Sequence, residues 1–222
     1  MGCVHHKEIV FAAVAFSLLL PGFPLFAQEA QPPGPQGALS SIMSLSATET
    51  TKALGIVRRC DADAARTLSL TLMAAARKSF DAADLGKSVF LYECAAEAAR
   101  VSKIEALLAE AEYRLGTACL RSHDYHRAEE SLLEGVRLSE KHKLDTGLIN
   151  NLGTLGVLYI RLAKYGAAEE VSKQALARIT GSPNRSSIPY KYGEALVCGN
   201  LGTIAAWNGE HTSALHYLAG PK

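Results

Sequence analysis

The sequence predicts an all-α protein, an α-solenoid of antiparallel helix pairs. One residue order recurs at fixed offsets, apolar residues return at helical spacing, and no stretch alternates with the period of a strand. The order is clearest from Glu112 to Gly135, which contains Leu115-Gly116, Cys119, Tyr125, Ala128 and Leu132. It returns as Leu155-Gly156, Tyr159, Tyr165, Ala168 and Ser172, and again as Leu201-Gly202, Ala205, His211, Ala214 and Leu218. From the glycine to the small residue of the next helix the step is 128 minus 116, 168 minus 156 and 214 minus 202, twelve each time.

A glycine inside a helix costs about 1 kcal/mol relative to alanine, so three at one repeat position imply a steric requirement. Gly116 and Ala128 would let two helix axes approach, with Tyr125 and Leu132 filling the space around the contact. A fainter copy comes first, with Ala75-Ala76, Leu85, Ser88 and Tyr92 in the corresponding places. The glycines or their substitute then fall at 76, 116, 156 and 202, giving periods of 40, 40 and 46.

These residues resemble the tetratricopeptide repeat (TPR), W-x2-L-G-x2-Y followed by A-x3-F and a later proline. The tryptophan position holds Glu112, Leu152 and Cys198, the tyrosine is kept at Tyr159, and Pro183 is the one candidate for the proline. The usual period is about 34, and extra turns between repeats are expected to absorb the excess. The resemblance implies that the first helix of each pair lines a concave groove. Carried over by position, the groove comprises Met73, Arg77, Tyr113, Thr117, Arg121, Asn150, Val157, Arg161, Asn200, Thr203 and Trp207. Arg, Asn, Tyr and Trp together suit a protein or peptide partner held by hydrogen bonds and aromatic anchors. The carboxylate clamp of co-chaperone TPR domains uses Lys and Asn where this chain has Tyr113, Gly153 and Thr117, so that specialised role is not implied.

Taken in order, residues 1–27 read as a secretory signal peptide. Lys7 gives a weakly positive start, Ile9 to Leu20 is an apolar run of twelve, and Pro21, Gly22 and Pro24 break it before Ala27. Twelve residues fall short of the roughly 20 that span a bilayer, so contact with a membrane is expected only if this segment stays uncleaved as an anchor. Residues 28–46, with Pro32-Pro33-Gly34-Pro35, are expected to be a disordered linker, and residues 47–222 the repeat domain. Helices are expected near Thr48 to Cys60, Ala62 to Phe80, Leu85 to Val101, Ile104 to Ser122, Asp124 to Lys141, Thr146 to Leu162, Tyr165 to Thr180, Tyr190 to Asn208 and Thr212 to Leu218. Asp61, Asp84, Asp124 and Asp145 stand where an N-cap accepts a backbone N–H. Gly181 to Pro189 is the longest interruption, an exposed loop carrying the glycosylation triplet Asn184-Arg185-Ser186.

No catalytic or cofactor chemistry emerges. Cys60, Cys94, Cys119 and Cys198 have no Cys-x-x-Cys spacing and read as small core residues. His123 and His126, or His211 and His216, lack a third nearby ligand for a metal. Gly153-x-x-Gly156 and Gly199-x-x-Gly202 lie in helical patterns with no preceding strand, which favours packing over phosphate binding. A formal charge of +1 makes no case for nucleic acid.

The expected function is therefore a non-catalytic scaffold of TPR type that binds a protein or peptide outside the cytoplasm, periplasmic or secreted. The alternative is the recognition arm of a larger exported enzyme or signalling protein. The last helix is short, so Leu201, Ile204, Leu215 and Leu218 are expected to lack the cover of a capping repeat, as in an array that continues or an end that docks on another chain.

Overall fold

Residues 32–219, which the computed structural model describes, form ten α-helices and one 3-10 turn, with no strand among the described residues. Two short helices come first, α1 (Pro35–Met43) and α2 (Thr50–Val57). Four antiparallel pairs follow: α3 (Ala62–Asp81) with α4 (Leu85–Val101), α5 (Glu105–Arg121) with α6 (Tyr125–Lys141), α7 (Asp145–Arg161) with α8 (Tyr165–Thr180), and α9 (Ile188–Trp207) with α10 (His211–Ala219). The stacking of neighbouring pairs makes this an all-α solenoid. The expected signal peptide at 1–27 lies outside the described residues.

The repeat length has a different source from the one expected. Helices α4 to α7 each hold 17 residues and are joined by three-residue connections, so two helices and two connections make the 40-residue period. The excess over a TPR lies in the helices and not in turns between repeats. Each connection bends at one left-handed residue: Ala83, Lys103, His123, Lys143 and Ala163, with φ between 54° and 64°, recur every 20 residues. Four of these turns close with a bond from the next N–H to a carbonyl five residues back, as in Asp84 N to Ser79 O at 2.9 Å and Leu144 N to Ser139 O at 2.8 Å. Asp61, Asp84 and Asp124 then cap the following helix through Ala64, Lys87 and Arg127 N–H. Asp145 does not; Leu144 is the N-cap there and Asp145 is the first helical residue.

The repeat glycines sit where two helices of a pair touch. A Cβ on Gly116 would fall 2.7 Å from Leu132 Cγ, on Gly156 2.7 Å from Ser172 Oγ, and on Gly202 2.9 Å from Leu218 Cγ. Each neighbour lies sixteen residues on, the same step in all three repeats (132 minus 116, 172 minus 156, 218 minus 202). In the fainter first repeat, where Ala76 replaces glycine, Ser88 Oγ instead donates to Ala76 O at 3.1 Å.

The linker reading fails from Pro35 onward. Pro35–Met43 is a helix opened by proline, and Ala38 and Ile42 are fully buried against α3 and its neighbours. Among the described residues, folded structure is thus present well before residue 47. A Pro/Gly-rich composition hid an apolar pair at i and i+4, which is enough to dock a short helix on an existing core.

First helices touch along the array, α3 to α5, α5 to α7 and α7 to α9, whereas the second helices make no comparable contact with one another. The first helices therefore form the inner face of the stack.

Candidate functional site

The expected groove residues divide into three groups. Arg77, Arg121, Arg161, Thr203 and Trp207 are exposed; Met73, Tyr113, Thr117, Asn150 and Val157 are half-buried. Asn200 is buried and leaves the groove, since its Nδ2 donates to Gly153 O at 2.8 Å and joins α9 to α7. Its amide serves a helix contact because the glycine opposite leaves the carbonyl reachable.

Several of the others are already engaged. Arg77 pairs with Asp81 at 3.0 Å, and the Arg121 guanidinium lies over the Phe80 ring at 4.5 Å. Thr117 Oγ1 donates to Tyr113 O and Thr203 Oγ1 to Gly199 O, each at 2.8 Å along its own helix. Met73 and Val157 pack against the core. Trp207, 70% exposed, stacks on Tyr165 with ring centres 5.2 Å apart.

The inner face opens into a cleft of ≈ 400 Å³ between α5, the start of α7 and the start of α9. Ala106, Ala109, Glu110 and Tyr113 line it from α5, Leu144 to Gly147 from the opening of α7, and Asn184 and Tyr190 from the 181–187 loop and α9. The longer connection 181–187 and a longer start to α9 together supply the residues that the 46-residue period adds, and Arg185 ties the loop to α9 through Glu194 at 2.7 Å. Ser139, at 1% exposure, also lines the cleft, and its Oγ has no partner. Burial, with a smaller push from Tyr192, raises the Tyr113 hydroxyl above the ordinary phenol range.

On the opposite side, a second cleft of ≈ 310 Å³ lies between α4 and α6 over α5. Within it Arg100 pairs with Glu112 and Arg127 with Glu93, Glu134 pairs with Arg137, and beside it Glu97 bridges Arg58 and Arg100. Glu112, in the tryptophan position, is 3% exposed, and burial raises its carboxyl above the usual range despite Arg100 at 2.5 Å. The ladder stitches neighbouring repeats together.

The four cysteines among the described residues are buried free thiols, and burial pushes Cys94 and Cys119 up to about 12, where little thiolate exists. Among the described residues no three His, Cys, Asp or Glu side chains group as metal ligands, and no helix is long and apolar enough to cross a membrane. His123 Nδ1 instead lies 3.0 Å from the Tyr125 hydroxyl.

Position arithmetic reached the cleft only at Tyr113. Ala106 and Thr146, which also line it, each lie ten residues before a repeat glycine, and extending the inner stripe back by one to two turns reaches them; the same step on α9 gives Tyr192, two residues from the lining Tyr190. Asn184 and Ser139 carry no such signal, because one belongs to the inserted loop and the other to a second helix.

No protein-family model matches the chain, and no curated protein matches it in sequence. Among solved structures it is similar to the crystal structure of BtubC (BKLC) from P. vanneervenii, with 18% identity over 83% of this chain and 72% of that one and a TM-score of 0.62. At that identity the likeness concerns the fold, an arrangement of stacked helices.

Proposed function

We propose that the chain is a non-catalytic scaffold of TPR type that holds a segment of a partner protein on its inner face, and that it acts outside the cytoplasm. The observation that carries the binding reading is the inner cleft, where an inserted loop, half-buried Tyr113 and the uncapped start of α7 converge. A first-helix face is ordinarily satisfied by its own packing; here a concave polar and aromatic surface is left over, with Tyr192 66% exposed beside the cleft at the start of α9 and Trp207 70% exposed at the far end of the same helix. Such aromatic side chains anchor segments through a few well-packed contacts. Export is supported by the apolar run Ile9 to Leu20 followed by Pro21, Gly22 and Pro24.

The test is selection of peptides from a random displayed library on the full chain, followed by anisotropy titration. Selected peptides should bind about tenfold or more weakly to Tyr192→Ala/Trp207→Ala, the loss of a 1.4 kcal/mol anchor, and unchanged to the opposite-face variant Glu130→Gln. Recovery of no saturable binder, or equal losses in both variants, sinks the reading. A reporter enzyme active only outside the cytoplasm, fused after residue 46, tests export by its activity.

A further inference from the structure

We propose that the inner cleft selects a basic segment: a Lys or Arg side chain of the partner lies between Glu110 and Asp145, and the partner's backbone carbonyl meets the start of α7. The inference rests on the inner-face scaffold reading and names the chemistry of its ligand.

The residues lining the cleft carry two carboxylates, Glu110 and Asp145, and no Lys, Arg or His. Both carboxylates are open to solvent, with side chains 45% and 50% exposed. Their present partners are Arg114 at 2.7 Å, one turn along the same helix, and Arg178 at 3.8 Å. Exposed pairs of this kind contribute about 0–1 kcal/mol, so they yield to a better-placed cation. Arg114 also sits 5.5 Å from the centre of the Tyr113 ring, so this aromatic face already accepts a guanidinium.

A free amine would leave the other half of the cleft unused. Helix α7 starts after Leu144, whose side chain offers no acceptor, so its first-turn N–H groups seek an oxygen. Beside them is Ser139 Oγ, buried and without a partner, facing Gly147. A Cβ at Gly147 would stand 2.9 Å from that oxygen, so the glycine keeps the approach clear. Donors beside carboxylates suit a peptide, which carries carbonyl and cation within a few bonds of each other. A carboxylate ligand would satisfy the N–H groups but meet Glu110 and Asp145 with like charge.

The test uses the full chain and a fluorescein-labelled, acetylated alanine–lysine decapeptide amide, with an alanine–glutamate decapeptide and spermine as comparators. The lysine peptide should bind saturably and the glutamate peptide should not. Glu110→Gln/Asp145→Asn should weaken binding about tenfold, as loss of a paired charge worth about 1.4 kcal/mol does. Glu110→Gln alone, at an exposed site on α5, should weaken it in the same direction and guards against loss of fold. Glu130→Gln on the opposite face should leave it unchanged. Equal losses in the opposite-face variant, no lysine-peptide binding, or displacement by spermine at the concentration at which the peptide binds would each overturn the proposal. If library-selected peptides depend on Tyr192 and Trp207 but ignore Glu110 and Asp145, the basic-segment inference falls while the scaffold reading stands. If no peptide binds at all, both fall.

Discussion

Gly153 and Gly199 hold the same place in successive repeats, three residues before the repeat glycine, yet they meet opposite surroundings. A Cβ on Gly153 would stand 2.9 Å from Leu196 Cδ2 of the following repeat, whereas nothing lies within 4 Å of the corresponding point on Gly199. The middle pairs are each sealed by the next first helix; the pair α9–α10 is packed on one side only. Leu201 and Ile204, expected to lie bare, are in fact 3% exposed because they face back into the array. Leu215 and Leu218 are bare as expected, at 69% and 62%. A repeat position thus fixes which way a side chain points, and only the neighbour decides whether that direction is covered.

The largest effect that would sharpen this contrast is at Gly156. A Cβ there would stand 2.5 Å from Asn200 Nδ2 and 2.7 Å from Ser172 Oγ, and Asn200 is held in place by its bond to Gly153 O. Gly156→Leu should cost about 3 kcal/mol by overpacking. Gly199→Ala should gain up to about 1 kcal/mol from helix propensity alone, and Arg161→Ala should stay within about 0.5. Urea midpoints measure all three; equal midpoints for Gly156→Leu and Arg161→Ala would remove the tight crossing.

Hydrogen exchange reads the same contrast without mutation. Amides of α7 and α8 should be protected well beyond those of α10, because opening the last helix exposes little that was covered. Protection of residues 201–218 equal to that of 152–176 in an isolated monomer would break the comparison.

Much of the fold was legible because its causes are local. The twelve-residue step survives from sequence to structure since it counts the last turn of one helix, one three-residue connection and the first turn of the next, and three of the four aspartates predicted as caps do cap. What escaped is what the pattern does not encode. Ala38 and Ile42 lie in a segment whose composition reads as linker, and no glycine marks the five left-handed turns. The cleft was legible only at Tyr113, because the rest of it comes from the start of α5, from a second helix, from a loop outside the repeat and from the uncapped start of α7. Asn200 was placed in the groove by counting, and one register step on a helix of the stack separates groove from interface.

The middle also contains a cost that the last pair lacks. Glu112 is buried where the equivalent residue of the last repeat is Cys198. Burial raises its folded carboxyl pKa, so the folded chain binds this proton more readily than the unfolded one. Its contribution is fully present below the unfolded value near 4.5 and is lost as pH rises through the raised folded value. Glu112→Gln cannot lose that proton, so relative to the parent it should become more stable as pH rises from 4 to 7. Urea midpoints across that range check it; a difference independent of pH would show that Arg100 holds Glu112 charged at no cost.

The smallest effects lie in the turns, where the two regions use different residues for one conformation. The earlier pairs place Ala83 and Ala163 at φ 61° and 55°, while the last pair places Gly209 at 78°. An L side chain in this region costs about 1–2 kcal/mol, and glycine gives back about 0.4–1 through the greater freedom of the unfolded chain. The balance predicts that Ala83→Gly gains about 0.5–1 kcal/mol and that Gly209→Ala loses a similar amount. Both residues are exposed, so packing does not blur the comparison. Because α10 is the least covered helix, Gly209→Ala should also loosen exchange in α10 before it moves the global midpoint. Destabilisation by Ala83→Gly would mean that the 20-residue rhythm is not limited by backbone strain at its turns.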